Sequence, residues 1–125
     1  TMSQSVNGYP EYDEFMFKNV PMFKKLSDIQ APNPDRCLVF IDEDENTIMD
    51  SLFGIPTRKF NPNKEEEWWS LPSNRHQQAG NLSFADGRVE TFRWKVAKRY
   101  KSWPQSLERG EMVDWKKVSE CIKQN

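Results

Sequence analysis

The sequence predicts an α+β fold: an antiparallel sheet followed by a C-terminal helix, in one domain spanning residues 1–125. Three observations predict it. Cys37-Leu38-Val39-Phe40-Ile41 is a continuous apolar run of strand length. Two alternating segments flank Asp86-Gly87 as a hairpin would. Trp115, Val118 and Ile122 recur at helical spacing, with Cys121 beside them. At 125 residues the chain can bury one core, and an aromatic content of 13% offsets its few aliphatic residues.

Taken in order, Met2, Gln4 and Val6 alternate as in a strand that ends at the turn signal Asn7-Gly8-Tyr9-Pro10. Glu11 to Phe23 reads as loop with a short helical turn, and Pro32-Asn33-Pro34 breaks the chain. Arg36 to Asp42 then reads as a strand buried on both faces. The acidic run Asp42-Glu43-Asp44-Glu45 that closes it must meet water, cations or backbone donors. Thr47 to Ile55 reads as a short turn and strand, Thr57 to Lys64 as a surface loop, and Glu65 to Trp69 as a helical turn ended by Pro72.

The hairpin pairs Gly80–Ala85 with Arg88–Trp94 through a two-residue type I′ turn at Asp86-Gly87. That register sets Phe84 opposite Val89 and Leu82 opposite Thr91 on the better core candidate of the two faces, while Phe92 and Trp94 point to partial cover of the other. The basic segment Lys95, Lys98, Arg99 and Lys101 reads as a solvated face. Asp114 is placed to cap a helix over Trp115 to Lys123.

Composition narrows the function classes. Lys plus Arg total 18 and Asp plus Glu 19, so the net charge of −1 gives no basic surface to argue for nucleic acid. Mean hydropathy is −0.89, and no apolar run is long enough to span a bilayer. Cys37 and Cys121 are too few for a disulfide framework and lack metal-site spacing; they read as free or buried thiols, with a single bridge left open.

His76 is the only histidine, and nine residues separate it from Asp86-Gly87. This H-X9-D-G pattern resembles the prepilin-type processing-associated H-X9-DG family of pilin-like proteins. Lys25–Ile29 before Pro32 and Pro34, the block Leu38–Glu43 with Thr47-Ile48 and Asp50–Phe53, and Trp69 with Leu71-Pro72 follow the family's order. Thr1 to Tyr9 resembles its first strand. Departures are Arg88 where the family often has His, Thr47 for Ser, and Ser51 for Gly. They bear on any site that needs a second histidine.

The resemblance implies the C-terminal part of a pilin-like head whose hydrophobic N-terminal helix lies outside this chain. It also implies export to the cell envelope, membrane anchoring before assembly, and packing with like or sister subunits in a type IV pilus or type II secretion assembly.

The residues that point to chemistry are Asp42, Glu43, His76 and Asp86, with Gly87 as a structural turn residue. If the hairpin neighbours the Arg36–Asp42 strand, they share one rim as a loop-fixing cluster or a cation site. Carboxylates with backbone carbonyls favour calcium; adding His76 shifts the choice towards zinc or manganese. Such an ion would tie loops together rather than perform chemistry. As a catalytic set they lack a nucleophile motif, and Asp42 and Glu43, adjacent in a strand, point to opposite faces. Two rivals come from other classes. One is a cell-surface carbohydrate-binding module using Trp68, Trp69, Trp103 and Tyr100; the other is a metal-dependent hydrolase centred on His76.

Overall fold

The computed structural model describes residues 2–5, 23, 25–49, 52–56 and 66–122. Among them is a mixed α/β arrangement dominated by a five-stranded, mainly antiparallel sheet. Strands β1 (Met2–Ser5), β2 (Leu38–Asp42), β3 (Leu52–Phe53), β5 (Ala79–Phe84) and β6 (Val89–Arg93) lie in the order β3-β1-β2-β5-β6. All neighbours are antiparallel except β1 and β3, which run parallel. β4 (Glu67–Trp68) and β7 (Gln105–Ser106) form a second, two-stranded sheet. The C-terminal helix spans Met112–Ser119, and no helix among the described residues is long and apolar enough to cross a membrane.

The core joins the sheet's inner face to the helix and to the 68–71 segment. Leu38, Ile41, Phe53, Ile55, Trp68, Leu71, Leu82, Phe84, Trp94, Val118 and Ile122 belong to it. Each fully buried Leu or Ile contributes about 1.5–3 kcal/mol relative to exposure. Trp115, Val118, Cys121 and Ile122 pack here as expected, but the helix ends at Ser119 rather than Lys123, so Cys121 and Ile122 reach the core from the turn that follows it.

Several expectations need correction. β2 is not buried on both faces along its length, since Phe40 is 44% exposed. A bulge between Leu38 and Phe40 shifts the alternation, which brings both Leu38 and Ile41 inward although they are three residues apart. Glu67–Trp68 is strand, not helical turn, because it pairs with Gln105–Ser106. The helix begins before Asp114, so Asp114 does not cap it. The Asn7–Pro10 turn, most of the Glu11–Phe23 loop and the 57–64 loop lie outside the described residues.

The hairpin forms in a different register. Ser83 faces Val89 and Leu82 faces Glu90, a slip of one residue. Gly87 N donates to Phe84 O and Phe84 N to Arg88 O, both at 2.9 Å, which leaves residues 85–87 as a three-residue loop. Gly87 takes φ +90° while Asp86 keeps a negative φ, the pattern of a type I turn closed by a left-handed glycine. The slip exchanges faces. Val89 is 65% exposed, and Phe92 instead turns inward, 6.3 Å from the Phe84 ring and 6.2 Å from the Trp94 ring. The slip gives up Val89 and Thr91 on the core face and gains the partly buried Phe92 ring, which packs against the core. The loop is also tied down by Ala85 N donating to Cys37 O and Asp86 N to Pro34 O.

The basic segment is not wholly solvated. Lys98 is buried, with Nζ 2.7 Å from Asp114 Oδ2, 3.1 Å from Glu111 Oε1 and 2.7 Å from Val96 O. Its cation lies 5.3 Å from the Trp94 ring centroid and 5.8 Å from that of Trp68. Asp114 also accepts the backbone N–H groups of Lys95 and Val96, and Glu111 that of Glu108. These bonds satisfy a buried ion cluster that pins the helix start to the chain leaving β6.

Candidate functional site

Antiparallel pairing decides which motif residues meet. The C-terminal end of β2 lies beside the N-terminal end of β5, so Asp42 sits at the rim where His76 precedes β5. His76 Nε2 is 3.3 Å from Asp42 Oδ2, and the same oxygen accepts the Asn81 N–H at 3.3 Å. Asp42 is buried, while the imidazole is half exposed.

Asp86 does not join them. It follows the far end of β5, separated from His76 by about 20 Å of strand. There its carboxylate accepts the Arg88 N–H at 2.9 Å and lies 3.9 Å from Arg88 Nε. The expectation of one shared rim is therefore corrected: the two ends of H-X9-D-G clamp opposite ends of the same strand. Gly87 fills the structural turn role expected of it.

Glu43 is fully buried and accepts the Thr47 hydroxyl at 3.0 Å, while Thr47 Oγ1 accepts Leu71 N at 3.1 Å. Glu43 thus fastens the 44–47 turn to the core. Its neighbours at the rim, Asp44 and Asn46, are bonded to each other. His76 and Asp42 supply two side-chain donors; protein zinc sites use at least three. No group of three or more His, Cys, Asp or Glu side chains that could hold a metal ion occurs among the described residues.

The site's most unusual feature is its backbone. His76, Gln77 and Gln78 have φ of 59°, 58° and 62°, so 76–78 is a left-handed turn. For L-residues this costs about 1–2 kcal/mol each. The surroundings impose it. Trp94 N donates to Gln78 O at 2.8 Å and Gln78 Nε2 to Trp94 O at 2.9 Å. Arg93 Nη1 donates to Gln77 O at 2.9 Å, and Arg75 Nη2 to Glu43 O at 3.0 Å.

Trp94 Nε1 donates to Ser73 O at 2.8 Å. Gly80 makes room for that indole: a Cβ there would stand 3.1 Å from a Trp94 ring carbon and 3.3 Å from Ser73 O. The turn leaves His76 beside Asp42, at the end of the neighbouring strand β2. Nothing in the Gln77-Gln78 sequence signals it, since glutamine has no left-handed preference.

The residue set of the carbohydrate rival also changes. Trp68 is 1% exposed and Trp69 is half-buried with its indole N–H on Glu67, whereas Trp103 is 52% and Tyr100 42% exposed. A coplanar platform that includes Trp68 is excluded.

Cys37 and Cys121 are both buried. Burial pushes each thiol up to about 11. Their backbones are adjacent, with Leu38 N donating to Cys121 O at 2.9 Å.

No family model matches the chain, and neither does any curated protein or solved structure.

Proposed function

We propose that this chain is the head of a pilin-like structural subunit that assembles with like or sister subunits at the cell envelope. The observation that carries the reading is the use of H-X9-D-G as a strand clamp. His76 Nε2 lies within ion-pair distance of Asp42 at the start of β5, a contact that is charged when the imidazole is protonated, and the 85–86 backbone closes the strand's other end against Pro34 and Cys37. A motif spent on bracing a strand at both ends suits a load-bearing scaffold.

The full-length gene tests this reading. A prepilin leader followed by a long hydrophobic helix upstream of Thr1 is the expected result, with filaments or envelope-bound oligomers on expression. A soluble enzyme domain fused upstream would refute it. The calcium or zinc expectation contracts to the His76–Asp42 pair, and a melting curve with each ion and then EDTA addresses it. A rise of several degrees supports a loop-fixing ion, and an unchanged midpoint counts against one.

A further inference from the structure

We propose that the loop Arg99–Pro104 is a binding surface for an acidic polysaccharide, a chain of uronic-acid sugars. Three independent features meet there. Trp103 and Tyr100 expose 52% and 42% of their surface, although most other aromatic rings among the described residues are buried or half-buried. Residues 95–107 contain Lys95, Lys98, Arg99 and Lys101 and no acidic residue. The loop is held rigid from beneath. Gln105, 4% exposed, accepts the Lys101 N–H and donates to Arg99 O, both at 2.9 Å, and is itself paired with Trp68 across the small sheet.

Each feature bears on the occupant. Exposed rings on a pre-ordered loop lose little entropy when a partner stacks on them. Trp, Tyr and Arg are the side chains that dominate binding at interfaces. Rings beside cations fit a ligand with apolar C–H faces and regularly spaced carboxylates.

Lys98 is spent inside on Glu111 and Asp114, and Lys101 pairs with Glu108, whose carboxyl is held low by that lysine's hydrogen bond. Arg99 and Lys95 remain exposed and form none of the ion pairs found among the described residues, although Arg99 joins Lys101 in holding the Glu108 carboxyl low. So few cations, on a chain of net charge −1, suit a carboxylated glycan better than the denser phosphates of nucleic acid. The inference does not depend on the pilin-like reading.

Affinity electrophoresis of the full chain tests it, in native gels containing polygalacturonate or neutral dextran. Retardation by polygalacturonate and not by dextran, weakened by added salt, is expected. Trp103→Ala should weaken it about tenfold, as loss of a hot-spot aromatic does. Trp103→Phe should restore most of it, and Lys95→Gln with Arg99→Gln should abolish it. Circular dichroism confirms that each variant is folded; if Trp103→Ala is not, Tyr100→Ser takes its place. Absent retardation, equal retardation of the folded aromatic variant, or tighter binding of a single-stranded oligodeoxynucleotide overturns the proposal.

Discussion

Replacing Lys98 with methionine tests the buried cluster that joins the C-terminal helix to the sheet. Methionine keeps the stem's volume and removes the charge. Glu111 and Asp114, 1% and 0% exposed, would lose the cation that neutralises them. Removing one partner of a buried ion pair costs about 3–5 kcal/mol. The lower end applies here, because Asp114 keeps the Lys95 and Val96 N–H groups and Glu111 keeps that of Glu108.

A loss of about 3 kcal/mol is a large share of the 5–15 kcal/mol that holds a domain together. With a urea dependence of about 2 kcal/mol per molar, the unfolding midpoint should fall by about 1.5 M. Lys101→Met, which breaks the exposed pair with Glu108, should move it by less than about 0.5 M. A Lys98→Met shift as small as that would place Lys98 among ordinary surface pairs and refute the assignment.

Three further outcomes are expected. Gly80→Ala should destabilise by about 1–3 kcal/mol in urea unfolding, since the new methyl meets the Trp94 ring at 3.1 Å; an unchanged midpoint would mean the indole is not held there. Gln77→Gly should instead stabilise by about 0.5–1 kcal/mol by relieving one left-handed residue, and a loss would show that the turn is not formed as described. The two thiols should resist Ellman's reagent at pH 8 until the chain unfolds. Because their folded pKa values of about 11 exceed the ordinary 9.0, their contribution to stability is full below pH 9 and is lost as pH rises towards 11. Cys37→Ala with Cys121→Ala should flatten that alkaline fall, and an unaltered slope would assign it to other groups.

Much of the fold was legible because it rests on local pattern. The apolar run at Leu38–Ile41, the Asp-Gly turn and the Trp115–Ile122 stripe each state a period or a breaker that the chain alone carries. The hairpin's register was not legible. Two-residue and three-residue loops fit the same Asp-Gly, and burial of Phe92, with the loop's bonds to Cys37 and Pro34, chose between them. Lys98 left a fainter trace: Glu111 and Asp114 continue the buried stripe of Val118 and Ile122 at helical spacing, and acids on an apolar face call for a cation.

At the candidate site the division is sharper. The sequence by itself determined which residue types stand at the ends of β5, an imidazole before it and a turn carboxylate after it. Tertiary structure alone decided that Asp42 meets His76 while Asp86 lies at the opposite end. The physical reason is that antiparallel pairing brings the last residue of one strand to the first of its neighbour, and strand order is a long-range choice that no local pattern encodes. The left-handed turn at His76–Gln78 is likewise imposed from outside, by Trp94, Arg93 and Glu43, against the backbone's own preference.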